Sequence, residues 1–290
     1  MDRHLLLAGG TALLVALLIG GVAVSNDFEP ISNSGKAAII QLSGAITPES
    51  GGAFSATGIT PEGVRSVNDQ ALQRNPDAII YEINSGGGAV VASKEIKREI
   101  ESIDIPTVCR FRDISASGGY LIALGCDRIV ADSASLTGSI GVRSSYLQFS
   151  GLLERYGVKY VNISSGEYKE IGSPYANISD EEKKVLANKT QKIHLEFIEL
   201  VDEERDLTPE QLDRSTTGEP FLGERAKNLG LVDSLGGRES AVVQAENLTG
   251  KNLSTFNVET RPDFNLLSLF SADISLENLV SNQAPIRAEY

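Results

Sequence analysis

Short apolar runs alternate with longer amphipathic stretches along most of this chain. The apolar runs of the first half have the length and composition of buried strands, at 37–42, 77–83, 106–111 and 128–131. Between them, apolar residues recur at helical spacing with charges in between, which predicts helices over 60–74, 89–103 and 120–124. This alternation is typical of βαβ units, so we expect an α/β fold with a mostly parallel sheet.

The second half of the sequence continues the alternation less regularly. It predicts strands over 158–163 and 231–233, and helices over 146–156, 179–204, 208–214, 223–229 and 237–248. The longest helix is highly charged, yet Val185, Phe197 and Val201 keep one of its faces apolar. His194 lies in this helix, and we interpret it as a helix-surface or core-edge residue rather than a catalytic one. Beyond residue 250 the periodicity weakens, which predicts a C-terminal tail over 251–290.

The N-terminal segment is a candidate membrane anchor. Residues 5–24 carry no charge, and twenty such residues are enough to span a bilayer as a helix. Arg3 precedes the run and acidic residues follow it, so the positive-inside tendency places the N-terminus in the cytoplasm. A cleavable signal peptide that ends near residue 23 is the alternative. We expect an extracytoplasmic main domain preceded by an uncleaved transmembrane anchor over 1–24 and a polar tether over 25–36.

Charge and cysteine usage narrow the classes of function. The formal net charge is −13 at pH 7 and no basic stripe is visible, which argues against nucleic-acid binding. The two histidines are too few for most metal sites. The two cysteines, Cys109 and Cys126, match no zinc motif. Their apolar surroundings favour buried free thiols, while a disulfide stays open for an extracytoplasmic domain.

Candidate chemistry lies first at the turn between the third strand and the short helix after it. Ser117 is followed by Gly118 and Gly119, which allow a sharp backbone turn and leave space around the serine. The first turn of a helix has unpaired N–H groups, so a hydroxyl placed there can attack a carbonyl whose oxyanion is stabilised. Taken alone, the same residues are better explained by an ordinary serine N-cap than by a nucleophile.

Two further loops carry residues that could take part in the same chemistry as the Ser117 turn. Residues 84–88, Asn-Ser-Gly-Gly-Gly, follow an apolar strand but match neither a Walker-type phosphate loop nor a dinucleotide fingerprint. Because its three glycines have no side chains, the backbone of this loop can approach a peptide and direct N–H groups at the peptide's carbonyl oxygen. The loop 164–174 is rich in turn residues and carries Lys169, which taken alone is most simply a solvated charge.

Five stretches, in order, resemble the signal peptide peptidase A family of serine proteases, relatives of the Clp protease fold. They are 84–90, 115–120 around Ser117, the Thr-Gly-Ser-Ile-Gly turn at 137–141, 165–170 around Lys169, and the Gly-x-x-Ala and Gly-Leu-Val-Asp stretches within 223–233. One departure is Gly86, which stands where the family motif has proline and leaves the loop less rigid. The match runs from about residue 37 to 248. Each stretch alone is weak evidence. The resemblance rests on the presence of all five in the order in which the family has them.

The resemblance implies a Clp protease/crotonase-like fold and a Ser/Lys protease domain over 37–250. The roles it implies are Ser117 as nucleophile, Lys169 as general base, Ser139 as the residue that orients the lysine, and Gly87, Gly88 and Gly118 as oxyanion and substrate-binding residues. Gly88 is preferred over Gly87 as the oxyanion donor that accompanies Gly118. A lysine accepts a proton only as the neutral amine, which desolvation in an apolar site favours.

The implied activity is that of a membrane-anchored serine endopeptidase that uses no metal or nucleotide cofactor. Its expected substrates are remnant signal peptides and other apolar or unfolded peptides. A single copy of the protease unit implies a homo-oligomeric ring, in which neighbouring protomers contribute Ser117 and Lys169 to one site. A related membrane protease acting on a regulatory membrane protein, a non-catalytic oligomeric membrane scaffold, and an acyl-CoA enzyme of the crotonase type are the alternatives.

Overall fold

Eight strands form one sheet in the computed structural model of the chain, which describes residues 33–49 and 58–258. The predicted anchor over 1–24, most of the tether and the tail beyond residue 258 lie outside these residues. Within them, no helix combines the length and the apolar character that crossing a membrane requires.

The strand order is β6-β5-β3-β2-β1-β8, and β4 pairs with both β3 and β7. Every pair is parallel except β5 with β6, which confirms the predicted mostly parallel α/β sheet. The strands are β1 Ser34–Ser43, β2 Ala78–Ser85, β3 Thr107–Ala116, β4 Arg128–Ala131, β5 Leu136–Gly138, β6 Pro220–Leu222, β7 Ser234–Leu235 and β8 Asn252–Val258.

Helices connect the parallel strands, as the sequence pattern predicts. In the described ranges they are α1 Pro61–Leu72, α2 Val90–Glu101, α3 Gly118–Ala123, α4 Ser150–Arg155, α5 Asp180–Glu204, α6 Pro209–Ser215, α7 Gly223–Asn228 and α8 Arg238–Thr249. Local capping explains several of their starts. The Thr60 hydroxyl accepts from the Gly63 N–H before α1, and Ser179 forms a capping box with Glu182 before α5.

The sheet is buried on both faces, which is why its central strands are apolar throughout rather than alternating. One face carries the larger core, where Tyr81, Phe111 and Ile83 pack against α1, α2, α3 and α5. The opposite face is covered by α8, whose Ala241 and Ala245 pack against β1, β2, β3 and β4. The carboxyl ends of β1, β2 and β3 therefore meet at one edge, between helical layers, where functional loops are expected.

Three predicted features differ from the structure. Residues 158–163 form no strand and are exposed, because no neighbouring strand pairs with their backbone in the described part of the chain. The strand predicted over 231–233 is displaced, since Leu231 and Val232 are buried in the core and β7 begins at Ser234. Strand β8 pairs with β1, so the sheet extends beyond residue 250 into the stretch assigned to the tail.

The two cysteines form a disulfide, so the free-thiol interpretation is wrong. Cys109 lies on β3 and Cys126 follows α3, with their Cα atoms 5.7 Å apart. The cysteines are seventeen residues apart in sequence. The bond therefore closes a loop that contains the whole turn around Ser117.

Candidate active site

Ser117 lies between the last residue of β3 and the first residue of α3, in a strained backbone conformation. Its φ is 53° and its ψ is −121°, values that L-residues rarely adopt and that cost about 1–3 kcal/mol. The Ser117 N–H donates to the Gly138 carbonyl at 2.8 Å, which ties the turn to the end of β5. Strain of this kind, retained by surrounding contacts, is typical of a functional residue.

The two glycines after Ser117 are required by close packing. A Cβ on Gly118 would lie 2.5 Å from the Ser93 hydroxyl oxygen, and one on Gly119 would lie 2.4 Å from the Ser85 carbonyl oxygen. The turn thus packs directly on the loop that ends β2. A side chain at either position would push the Ser117 turn away from that loop.

The glycine loop after β2 approaches the same turn from the other side. Gly87 has a φ of 97°, and its N–H donates to the Ser85 hydroxyl at 3.1 Å. A Cβ on Gly88 would lie 2.0 Å from the Ile46 carbonyl oxygen. In the described part of the chain, the N–H groups of Gly88 and Gly118 have no acceptor. These two donors flank Ser117, whereas the Gly87 donor is already occupied.

A pocket opens beside Ser117, with Gly88 and Gly118 in its wall. Most of its other lining side chains are apolar: Val90, Leu121, Val142, Ile193, Phe197 and Leu200. They come from α2, α3, the segment after β5, and α5. A side chain that enters this pocket would place the next carbonyl close to Ser117 and to the two free amide donors.

Charged side chains near the pocket are paired. Lys94 and Glu196 both line it, and their Nζ and Oε2 atoms are 2.6 Å apart. The hydrogen bond from Lys94 lowers the pKa of the Glu196 carboxyl. One turn further along α2, burial alone would lower the pKa of Lys97, but hydrogen bonds to Glu204 and Glu101 raise it. Lys97 is therefore held as a cation and is unsuited to act as a base.

Ser139 lies one residue beyond the carbonyl that accepts from Ser117. Its φ is 49°, and its N–H donates to the Glu219 carbonyl at 2.9 Å. The structure therefore brings the predicted lysine-orienting serine next to the predicted nucleophile turn. The Ser139 hydroxyl makes no hydrogen bond within the described residues, so it is free to take a partner.

His194 supports this turn from α5. Its Nε2 lies 3.2 Å from the Ile140 carbonyl oxygen and 2.9 Å from the Thr216 carbonyl oxygen. Because both partners are acceptors, Nε2 carries the ring proton. The half-buried ring joins two loops to α5, which agrees with its interpretation as a core-edge residue.

Lys169 lies apart from the pocket in this chain. It sits in a turn and is exposed, and its N–H donates to the Gly166 carbonyl at 3.2 Å. It does not line the pocket that contains Ser117. The structure thus gathers Ser117, Ser139, Gly87, Gly88 and Gly118 at one edge of the sheet, and leaves Lys169 outside that group. The role of Lys169 stays a prediction.

Lys169 belongs to an exposed segment, residues 143–178, which we call the arm. Its one helix, α4, buries no residue. The arm is held together by its own contacts, including the Phe149 N–H to the Pro174 carbonyl at 2.6 Å. Many large apolar and aromatic side chains of the arm are solvent-exposed: Tyr146, Leu147, Phe149, Leu152, Tyr156, Val158, Tyr160, Val161, Ile163, Tyr168 and Tyr175.

Two features of this site were not predicted from the sequence. The α5 wall of the pocket was visible only as a helical spacing of Ile193, Phe197 and Leu200, which equally indicates a core face. The Lys94–Glu196 pair joins residues 102 apart, so no local signal marks it. Within the described ranges, no group of three or more His, Cys, Asp or Glu side chains could hold a metal ion.

Comparison with known proteins places the chain among peptidases. The model of peptidase family S49 matches residues 99–252, slightly more than half of the chain. A protein of Synechocystis sp. with a provisional protease name is 34% identical over 237 residues, covering 79% of this chain and 86% of the relative. A protein of Enterococcus faecium provisionally named signal peptide peptidase SppA is 37% identical over 167 residues, 57% of this chain. The matched stretch spans about half of the Enterococcus protein, 48%.

A solved structure is similar to this chain at low sequence identity. It is a variant of the membrane-bound stomatin-specific protease 1510-N in complex with a substrate peptide, at 17% identity and a TM-score of 0.49. The alignment covers 82% of this chain and 98% of that one. The family assignment rests on the sequence matches and not on this likeness.

Proposed function

The chain belongs to peptidase family S49, a family of serine proteases, and on this premise we propose that it is a membrane-anchored serine endopeptidase. Ser117 is the nucleophile and Lys169 the general base in this proposal. The substrates are remnant signal peptides and other apolar or unfolded segments. Residues 1–24 anchor the chain, and the protease domain lies outside the cytoplasm.

The arrangement around Ser117 is the observation that carries the proposal. The strained serine stands between two free amide donors, on Gly88 and Gly118, and beside an apolar pocket. Attack of the Ser117 oxygen on a peptide carbonyl would form a tetrahedral oxyanion that these N–H groups can stabilise. Collapse breaks the C–N bond and leaves an acyl-enzyme on Ser117. Water then hydrolyses the ester and regenerates the hydroxyl.

The base has to receive the Ser117 proton as a neutral amine and return it to the leaving nitrogen. Lys169 is exposed in the single chain and does not line the pocket that contains Ser117. We therefore propose a homo-oligomeric ring in which the arm of one subunit reaches the Ser117 pocket of the next. The exposed apolar side chains of the arm support this proposal, because contact with a neighbour would bury them. In this proposal the free Ser139 hydroxyl orients the incoming amine.

The pocket supports the proposed substrate class. Its lining is mainly apolar, so it suits the aliphatic side chains of a signal-peptide core. The provisional name of the Enterococcus relative points to the same substrates.

The disulfide supports the proposed location. Bonds between cysteines persist in oxidising compartments and are rare in the cytosol. Cys109 and Cys126 are thus in keeping with a protease domain on the outer side of a membrane. The charge pattern around residues 5–24 predicts the same orientation.

The test is cleavage of a synthetic signal peptide by the full chain in detergent, beside Ser117→Ala and Lys169→Ala. Both variants should lose activity. Lys159→Ala, which removes another exposed lysine of the arm, is the matched control and should retain it. Mixing the two inactive variants before assembly should restore part of the activity if neighbouring subunits share a site. Cleavage that survives both substitutions would refute the dyad.

A further inference from the structure

The Lys94–Glu196 pair closes one side of the pocket beside Ser117. Lys94 comes from α2 and Glu196 from α5, and both side chains line the same pocket as the serine. Glu196 is 55% exposed and Lys94 is 28% exposed, so the pair lies on the solvent side of the apolar lining. A substrate side chain that enters from solvent would pass these two charges before it reaches Leu121 or Phe197.

We propose that the Lys94–Glu196 pair is a specificity filter that keeps acidic and basic side chains out of the pocket and admits uncharged apolar ones. This inference rests on the proposed function, because it concerns the substrate residue whose carbonyl Ser117 attacks. Family membership alone does not supply it, since it depends on two residues that belong to none of the five matched stretches.

The exclusion of charged side chains follows from the pairing of Lys94 with Glu196 at a partly desolvated position. A charged substrate group loses hydration as it enters an apolar pocket, and only an available opposite charge can offset that loss. Here the charges of Lys94 and Glu196 on the pocket wall already neutralise each other. An incoming carboxylate would meet a lysine neutralised by Glu196, and an incoming ammonium would meet a glutamate neutralised by Lys94. An apolar side chain needs no such partner.

A second set of contacts holds α2 against α5, so the fold does not depend on the Lys94–Glu196 pair. Lys97 is 6% exposed and binds Glu204 at 2.6 Å and Glu101 at 3.1 Å, so α2 and α5 stay joined without the outer pair. Ile96 and Ile100 of α2 also share one buried core cluster with Phe197 and Val201 of α5. Loss of the Lys94–Glu196 pair should therefore change the charge of the pocket wall more than its shape.

The experiment compares three peptides that differ only in the residue before the scissile bond, which is Leu, Glu or Lys. The ratio of kcat/KM for each charged peptide to that for the Leu peptide is measured for the full chain. Glu196→Gln exposes the lysine and should raise the Glu/Leu ratio at least about tenfold, while Lys94→Gln should raise the Lys/Leu ratio similarly. The double exchange Lys94→Glu with Glu196→Lys should return both ratios to those of the parent.

Glu199→Gln is the matched control, because Glu199 is an exposed acid on α5 outside the pocket. It should leave both ratios unchanged. Unaltered ratios in Glu196→Gln and Lys94→Gln, in a parent that cleaves the Leu peptide through Ser117, would overturn the filter alone. A parent without Ser117-dependent cleavage would overturn the proposed function, and the filter with it.

Discussion

The Ser117 amide nitrogen lies 2.8 Å from the carbonyl oxygen of Gly138, the last residue of β5. This single hydrogen bond holds the candidate nucleophile turn against the turn that carries Ser139. The two turns are consecutive at the same edge of the sheet, because β3 and β5 are paired in parallel with Ala116 opposite Gly138. The positions of Ser117 and Ser139 are therefore coupled through backbone, without a direct bond between their hydroxyls.

Replacing Ser139 should reduce turnover without altering substrate binding. Ser139→Gly suits the positive φ at this position and removes the hydroxymethyl group. We expect kcat to fall by about 10²-fold with KM nearly unchanged, since the hydroxyl is proposed to orient the base and Ser139 does not line the pocket. Steady-state kinetics on a signal peptide measure both. Asn75→Gly, at another positive φ far from the site, should leave kcat unaltered. Full turnover in Ser139→Gly would exclude the orienting role.

Gly88 should tolerate no side chain. A methyl group there would lie 2.0 Å from the Ile46 carbonyl oxygen, so the loop and its free N–H would have to shift. Gly88→Ala should lower kcat/KM by at least about 10²-fold, the loss typical of one oxyanion donor. Gly86→Ala is the matched control in the same loop, because the nearest atom to its methyl group would be 3.6 Å away. Equal activity of the two variants would contradict the assignment of Gly88 as a donor.

Loss of the disulfide should destabilise the domain and loosen the Ser117 turn. The seventeen-residue separation of Cys109 and Cys126 predicts a stabilisation of about 3 kcal/mol. Urea unfolding with and without a thiol reductant should show this difference for the parent. The double variant Cys109→Ala with Cys126→Ala should match the reduced parent and respond to no reductant. A parent whose stability is the same under both conditions would contradict the structural role of the bond.

The buried carboxylate of Glu82 should make stability depend on pH. Burial alone would raise the pKa of Glu82, but hydrogen bonds and charge from Arg238, with the charge of Arg110, lower it below the ordinary 4.5. The stabilisation is therefore present above that value and is lost as pH falls through the lowered pKa. Glu82→Gln should cost about 2 kcal/mol at pH 7, less than a fully buried pair because Arg238 is 42% exposed.

Urea midpoints measured between pH 7 and pH 3 test this dependence. The difference between the parent and Glu82→Gln should shrink as pH drops below about 4.5. Glu99→Gln breaks the exposed pair with Arg65 and should have little effect at either pH. A difference between the parent and Glu82→Gln that stays constant over the whole range would show that the ionised form of Glu82 is not what stabilises the fold.

Local signals were enough to predict much of the fold. Thr60 with Pro61 marks the start of α1, and Ser179 with Glu182 marks the start of α5. The apolar runs of β1, β2 and β3 are continuous because both faces of the sheet are covered. Where an element depends on a distant partner, local patterns were insufficient. Residues 158–163 have strand-like composition but pair with nothing described, and β8 forms only because β1 is beside it.

In the candidate site, too, local features could be predicted and features that depend on distant residues could not. The sharp turn at Ser117 could be predicted because the glycines that follow it are a local requirement, while the roles of Ser117, Gly88 and Gly118 stay predictions. The pairing of Cys109 with Cys126 depends on Cα atoms that approach to 5.7 Å in space, which their spacing in sequence does not indicate. The Lys94–Glu196 pair likewise arises from the packing of α2 on α5. Lys169 is exposed and lies outside the Ser117 pocket, so its role stays a prediction.

The direction of β1 separates the point where the chain enters the domain from the edge that carries Ser117. Residue 33 precedes the amino end of β1, and the ten residues of that strand run toward the edge where Ser117 lies. A strand of this length spans about 33 Å. The chain therefore enters the domain at the end of β1 that lies away from the pocket. A peptide attacked at Ser117 is bound at the opposite end of this strand, so the point of entry of the chain leaves the catalytic edge open to substrate.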